Sequence, residues 1–494
     1  MSLELARTVV PGLVAAPLLG AALAFLVGRR HAARVAAVTV VVVALATAAL
    51  LWVVWREGSV RVAVGGWSPP LGIGLVADGL SAVLIATTTV VCAAITLYAG
   101  RFTALQLQAD PRAIWMFWPL WLCLWAGMNA ALLSGDLFNL YVTIEVIGLS
   151  AVSLVALSGA AALAAAARYL LVTLSGSLFY LMGVGLLYAD YGVVDIAMLG
   201  RIVQAQPATQ AALVLMTLGL ALKTAIVPLH FWLAPAHGGA LGPISAVLSS
   251  LVVKSTFYVL LRLWVTVFPA VVGTALPELL GCLGGAAILW GSLQALVQRR
   301  LKMLVAYSTV AQLGYLLLVF PLAMHRPAGE TAWAGVVLFV VAHACAKAAM
   351  FLAAGSFKHA VGSDELVRLR GVASTMPATT LALALAGVVL IGLPPSGAFA
   401  AKWLLLLAAV QTGRWVYVVV IVGGSLLAAA YVFRVVAAAL REPDDPTERC
   451  DVPASMQLAA LGLAIIGVSL GLVAGLPLEL IGKGGPFDAA LEAR

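Results

Sequence analysis

Charge is what this sequence has least of. Asp, Glu, Lys and Arg make up 10% of its 494 residues, while 63% are hydrophobic. A soluble protein carries about 25% charged residues, so this chain cannot clothe a water-facing globule. Cysteine is also sparse: Cys92, Cys123, Cys282, Cys345 and Cys450 stand alone, with no C-x-x-C pair. That excludes a disulfide framework and a sequence-visible iron–sulfur or zinc site, and neither a cofactor nor a bound metal is expected. A nucleotide loop is missing too. Gly183-Val184-Gly185 lies inside an apolar run and lacks a third glycine, so it reads as helix packing; a dinucleotide fingerprint must follow a strand. No basic stripe is interleaved with aromatics, so the net charge of +8 does not point to nucleic acid. Alternating strand-length segments of the outer-membrane barrel type are absent. Long polar stretches are absent as well, the longest loops being 55–75, 189–209, 356–378 and 438–455.

What remains is apolar helix. A bilayer core needs ~20 apolar residues per crossing, and such runs recur near 8–28, 33–54, 76–98, 114–133, 136–157, 164–188, 210–233, 242–263, 271–297, 303–323, 331–355, 379–409, 414–437 and 456–477. These are numbered spans 1 to 14. The expected fold is an all-α polytopic membrane protein of about 14 transmembrane helices. Span 1 is expected to be retained, since Arg29, Arg30 and Arg34 follow it, whereas a cleaved signal has its basic cluster in front. Placing the loop after span 1 in the cytoplasm puts 15 Lys and Arg on that side and 9 on the other. The positive-inside bias therefore predicts both termini on the outer side. With loops this short, any chemistry must lie in the bilayer or in partner chains.

A few ionisable residues interrupt the spans. Glu145 in span 5 is the only carboxylate deep in any of them; Asp78 and Asp136 stand at span starts, where a carboxylate complements a helix N-terminus. Lys223 lies in span 7, Lys254 in span 8, His343 and Lys347 in span 11, and Lys402 in span 12. The i, i+4 spacing of His343 and Lys347 puts them on one helix face. A charge at the bilayer centre costs roughly 2.5–3.5 kcal/mol on insertion scales, and such residues mark ion paths. Each also has a plainer reading. Lysines near a helix end can snorkel to the headgroups, although Lys223 and Lys254 stand about 17 Å into their spans at 1.5 Å per residue. Glu145 and one lysine could form a purely structural ion pair, and His343 could be a core histidine bonded to a carbonyl. His230 and His237, near the connection between spans 7 and 8, could line an entrance or brace the loop.

Prolines mark the same places. Pro228 lacks an N–H and clashes with the carbonyl four residues back, at Thr224 beside Lys223. Pro394 and Pro395, with Gly392 and Gly397, interrupt span 12 just before Lys402. Helices broken at membrane depth are tolerated only where buried or lining a cavity, and they point to ion sites in transporters.

These segments carry a resemblance. The span 5 glutamate, K-T-A-I-V-P-L-H-F-W-L (Lys223 to Leu233) and P-I-S-A-V-L-S-S-L-V-V-K ending at Lys254 form its first half. R-R-L-K-M-L-V-A-Y-S-T-V-A-Q-L-G-Y (Arg299 to Tyr315), H-A-C-A-K (His343 to Lys347) and G-L-P-P-S-G-A-F-A-A-K-W (Gly392 to Trp403) form its second. Over about residues 70 to 440 the chain resembles the antiporter-like subunits shared by Mrp-type multisubunit cation/proton antiporters, respiratory complex I and membrane-bound hydrogenases. The resemblance implies two inverted five-helix repeats with broken helices 7 and 12. The divisions become 1–113 (spans 1–3), 114–263 (spans 4–8), 264–437 (spans 9–13) and 438–494 (a cytoplasmic loop, span 14 and tail). Lys223 precedes its break and Lys402 follows its own, so the sequence does not make the two lysines repeat-equivalent. L-A-P-A-H at the end of span 7, Ser250 and Thr256 depart from the usual pattern, the last two standing where glycine is common.

The resemblance further implies a non-enzymatic transporter subunit in the cytoplasmic membrane of a prokaryote. Protons would pass along Glu145, Lys223, Lys254, His343, Lys347 and Lys402, in exchange for Na+ or K+. Its partners would be other antiporter subunits and the lipid bilayer. An Mrp D-type subunit is similar in motif, in Lys402 and in length, the chain being read as ending at Arg494 without a lateral helix. The M-type complex I subunit carries glutamate in place of Lys402; N-type complex I and hydrogenase subunits stay open as alternatives.

Overall fold

A computed structural model describes residues 2–106, 111–324, 328–442 and 450–484. The basic and acidic residues Asp444, Asp445, Glu448 and Arg449 of loop 438–455, and the tail from 485, lie outside the described residues.

Nearly everything described is helix, as a chain that must satisfy its own backbone in lipid requires. Spans 1 to 6 are Ser2–Val27, Ala32–Glu57, Gly79–Gln106, Pro111–Leu133, Leu137–Ala156 and Ala160–Tyr191. Spans 9, 10, 11 and 13 are Ala275–Val297, Leu301–Leu317 (continued by Val319–Leu322), Ala328–Val361 and Trp415–Leu440. Together with span 8, these are the eleven helices among the described residues long and apolar enough to cross a membrane. Span 14 is the shorter Ala454–Ser469, and spans 7 and 12 are each in two pieces. That completes the fourteen.

Both expected breaks are present. The first half of span 7, Pro207–Thr224, stops at Ala225, whose φ of 59° is the one positive value among described non-glycine residues. Pro228 stands three residues on, and helix resumes at Leu233–Gly239. Span 12 stops at Ile391 on Gly392, φ 84°, and restarts as Gly397–Gln411. Ser396 caps the restart, its Oγ accepting from Phe399 N at 3.2 Å. A third irregularity has no proline. Span 8 runs Gly242–Val247, then a π turn at Leu248–Val252, then Val253–Thr266. π turns are rare and gather at functional sites.

The innermost helices are spans 8 and 11, whose most apolar stretches are entirely buried. Spans 1, 2 and 13 turn two thirds of theirs outward, through residues such as Leu26, Leu45 and Val419. Lys254, His343 and Lys347 therefore sit on the innermost helices. Among the described residues the two strands form an antiparallel hairpin, β1 (Val60–Ala63) and β2 (Gly74–Ala77), with Val60 opposite Ala77. It begins in loop 55–75, runs to Ala77 at the expected start of span 3, and lies at the end of the bundle that holds the first and last described residues. There the Ser2 hydroxyl donates to Glu57, and Gly79 N donates to Lys483 O at 3.0 Å.

Asp78 and Asp136 occupy helix starts as expected. Asp78 Oδ1 accepts from Ser81 N at 2.9 Å, and Asp136 Oδ1 from Asn139 N at 2.7 Å. Asp78 does more than cap. Its Oδ2 lies 2.5 Å from Arg262 Nη1 at the far end of span 8, and Tyr258 OH accepts from Arg262 Nη2 at 2.8 Å.

Candidate functional site: a line of buried lysines

Span 7 reaches its break with Lys223 in the last helical turn, where the free carbonyls favour a cation. Lys223 Nζ lies 2.8 Å from Thr173 Oγ1 of span 6 and 3.3 Å from Glu145 Oε1 of span 5. The Ser177 hydroxyl donates to the same carboxylate. Two glycines make the approach possible: a Cβ on Gly176 would meet Gly219 O at 2.8 Å, and one on Gly219 would meet Gly176 O at 2.3 Å. The expected acid–base pair is thus formed, but at the edge of the bundle: the Lys223 side chain is 3% exposed and Glu145 is 18% exposed.

Lys254 follows the π turn of span 8, and its ammonium donates to Ser249 O within that turn. No hydrogen bond joins Lys254 to Lys223. Their neighbours are joined instead, Thr224 Oγ1 to Thr256 Oγ1 at 2.9 Å. Thr256, which departs from the family pattern, thereby ties span 8 to the break in span 7. Cavities of about 10 Å³ flank Lys254, one lined by Thr87, Thr88 and Ser250, the other by Phe257 and Tyr258. Each is at the lower limit of room for a single water.

The remaining candidates lie along spans 10 to 13. His343 is buried among Lys254, Lys347 and Lys402. Its ring packs on Phe339 at 5.5 Å, and neither ring nitrogen has a hydrogen-bond partner. The carbonyl-bonded core histidine is therefore not what the fold contains. Lys347 Nζ donates to Ser308 Oγ at 2.5 Å and Val305 O at 3.0 Å. Lys402 reaches back across its own break: Nζ donates to Leu390 O (3.0 Å), Ile391 O (3.1 Å) and Ser425 Oγ (3.2 Å), over the Tyr315 ring at 4.4 Å. Although the two lysines stand on opposite sides of their breaks in sequence, Lys402 brings its charge to the carbonyl end of a half-helix, the kind of end that also carries Lys223. None of the four lysines snorkels; all are at most 4% exposed. Among the described residues, only Lys223 has a carboxylate partner.

His237 is fully buried, 5.7 Å from the Phe351 ring, and lies among Lys254, Lys302 and Lys347. His230 is only half-buried, in the turn that follows Pro228. By sequence Lys302 counts among the loop cations. The structure buries it completely at the start of span 10, its ammonium donating to Ala240 O beside the His237 helix. A cation in the first turn of a helix opposes the helix dipole, and that is the signal by which it stands out. Thr173, Ser177, Ser308 and Tyr431 carry no comparable signal.

The family profile described as "NADH:quinone oxidoreductase/Mrp antiporter, TM" matches residues 134–428. The chain belongs to this family. All eight candidate residues fall inside the matched segment. The chain is 37% identical over 458 residues to the N-type subunit of NADH-quinone oxidoreductase from Desulforudis audaxviator, covering 89% of each. It is 30% identical over 379 residues to the D-type subunit of the Na(+)/H(+) antiporter from Alkalihalophilus pseudofirmus, covering 76% of this chain and 74% of that one. In structure it is similar to a chain of the Mrp complex from Dietzia sp. DQ12-45-1b, with a TM-score of 0.87 and 28% identity over 99% of both. It is likewise similar to a chain of the membrane-bound sulfane sulfur reductase, an archaeal respiratory membrane complex. There the TM-score is 0.88 with 26% identity, covering 99% of this chain and 100% of that one. The resemblance read from the motifs and the family found by comparison agree.

Proposed function

We propose that this chain is the proton-translocating subunit of a multisubunit monovalent cation/proton antiporter, a transporter subunit rather than an enzyme. The carrying observation is the Glu145–Lys223 pair. It joins the one deep carboxylate of the spans to a lysine at the carbonyl end of a broken helix. While paired, Glu145 holds the charge on Lys223. When the pair opens, a desolvated ammonium favours giving up its proton. Lys254 receives it, His343 and Lys347 carry it on, and Lys402 releases it across the second break. His237, with Lys302 beside it, lines an entrance between spans 7, 8 and 10, and His230 faces the same connection. Spans 4–8 and 9–13 form the two inverted repeats, and both termini face the outer side of a prokaryotic cytoplasmic membrane. The exchanged ion is Na+ or K+, and the partners are the other antiporter subunits.

The test is proton flux in vesicles holding the assembled complex. Glu145→Ala and Lys223→Ala should each cut cation-dependent flux by roughly 10-fold or more with assembly intact, the loss expected where a group on the proton path is removed. Normal flux in either assembled variant removes the pair from the mechanism. Failure of both to assemble makes it a structural ion pair.

One observation favours a second reading. The 37% identity is to an N-type subunit of NADH-quinone oxidoreductase, and a non-redox proton-pumping subunit of such an enzyme would use the same residues. The chains that co-purify decide: small antiporter subunits support the first reading, iron–sulfur or flavin subunits the second.

A further inference from the structure

Lys347 and Lys402 must communicate if a proton passes between them, yet His343 offers no hydrogen bond to either. A different set of side chains joins them. Lys347 Nζ donates to Ser308 Oγ at 2.5 Å. The Tyr431 hydroxyl from span 13 faces Ser308, whose Oγ itself donates to Val305 O at 2.9 Å. Tyr431 OH accepts from Gln312 Nε2 at 3.4 Å, and the same nitrogen donates to Leu390 O at 3.4 Å. Leu390 O is the carbonyl that Lys402 Nζ holds at 3.0 Å. Ser308, Gln312 and Tyr431 are each at most 1% exposed, so bulk solvent does not replace these bonds.

The chemistry of the two ends makes this connection responsive. An ammonium has three donors and no acceptor, so a charged Lys347 obliges Ser308 oxygen to accept. A neutral amine exposes a lone pair, and the Ser308 hydroxyl can then turn to donate to it. At the other end, Leu390 O is shared between Lys402 and the Gln312 amide. Once Lys402 is neutral its grip on that carbonyl weakens, and Gln312 is drawn toward Leu390 and away from Tyr431. In a low dielectric, hydrogen bonds in a chain polarise one another, so the state of either lysine is felt at the other.

We propose that Tyr431 is a positioning residue for proton movement, coupling the protonation of Lys347 to that of Lys402 through Ser308 and Gln312. The inference rests on the proton-path reading and adds its last leg. The ionisable groups facing it are His237 from the second half of span 7, Lys254 from span 8, Tyr315 from span 10, His343 and Lys347 from span 11, Lys402 from span 12 and Tyr431 itself. Among the described residues none of the three lysines has a carboxylate partner.

Tyr431→Phe keeps the ring and its packing and removes only the hydroxyl. In vesicles holding the assembled complex it should slow proton flux about 10-fold and displace the flux-against-pH profile. Ser308→Ala should do the same, and Ser308→Thr should restore most of the loss. Because both act on one connection, the double variant should be no slower than the slower single, as coupled neighbours are not additive. Wild-type flux and pH profile in Tyr431→Phe, or losses that multiply in the double variant, would overturn the proposal. Should Tyr431→Phe fail to assemble, the Ser308 pair decides alone. Lys402→Ala is the control. If it leaves flux intact, the proton-path reading falls and takes this inference with it. If it stops flux while Tyr431→Phe does not, only the inference falls.

Discussion

Lys402 shows how much a single side chain is asked to do. Its stem crosses the break of span 12, and a Cβ on Gly392 would stand 2.9 Å from Lys402 Cδ. Its ammonium is then held by two carbonyls and a hydroxyl. Arginine in that place keeps its charge but does not release a proton at accessible pH. Lys402→Arg should therefore cut flux nearly as deeply as Lys402→Ala, by roughly 10-fold or more at matched assembly. Wild-type flux in the arginine variant would show that only a fixed charge is needed, and the path would have to end elsewhere. At this scale the sequence exposes what is chemically conspicuous: a charge inside an apolar run has few innocent explanations, and Glu145, Lys223, Lys254, Lys347 and Lys402 stand out that way. Their hydroxyl partners do not, because serine, threonine and tyrosine are ordinary in membrane helices and nothing in Thr173 or Tyr431 marks its neighbour. Lys302 reads as a loop residue because two arginines precede it, and only its place in the first turn argues otherwise.

Among the elements, the two proline breaks are legible because proline removes a donor and cannot be hidden. The π turn of span 8 is not; L-S-S-L-V contains no breaker, and the irregularity answers to packing around Lys254. The hairpin in loop 55–75 is likewise invisible in the sequence, its strands being only four residues each. The sequence marks Asp78 as a helix-start carboxylate, but it does not tell that the same side chain pairs with Arg262 of span 8. That buried pair makes its own prediction. Asp78→Ala leaves the guanidinium unpaired, and removing one partner of a buried pair costs about 3–5 kcal/mol. The variant should unfold at clearly lower temperature in detergent than wild type. Replacing Arg262 with leucine as well should recover part of the loss. A melting temperature unchanged in the single variant would mean that the pair holds nothing together.

For the molecule as a whole, composition decides the class and the motifs decide the family, since fourteen apolar runs leave few other arrangements. The sidedness rests on lysine and arginine counts, but the fold supplies an independent constraint: Ser2 and Lys483, near the first and last described residues, lie at the same face, beside the hairpin. Single cysteines placed at Ser2 and Lys483 in a cysteine-free background should both react with a membrane-impermeant maleimide added to intact cells. Labelling of one and not the other would break the even count of crossings, and labelling of neither would invert the orientation. The line of lysines has a further consequence. Among the described residues three of the four have no carboxylate partner, and two unit charges roughly 10 Å apart at an effective dielectric of 20 repel by about 1.7 kcal/mol. On the proton-path reading, loading one site would therefore discourage loading the next until the first has discharged, and charge would advance singly and in order.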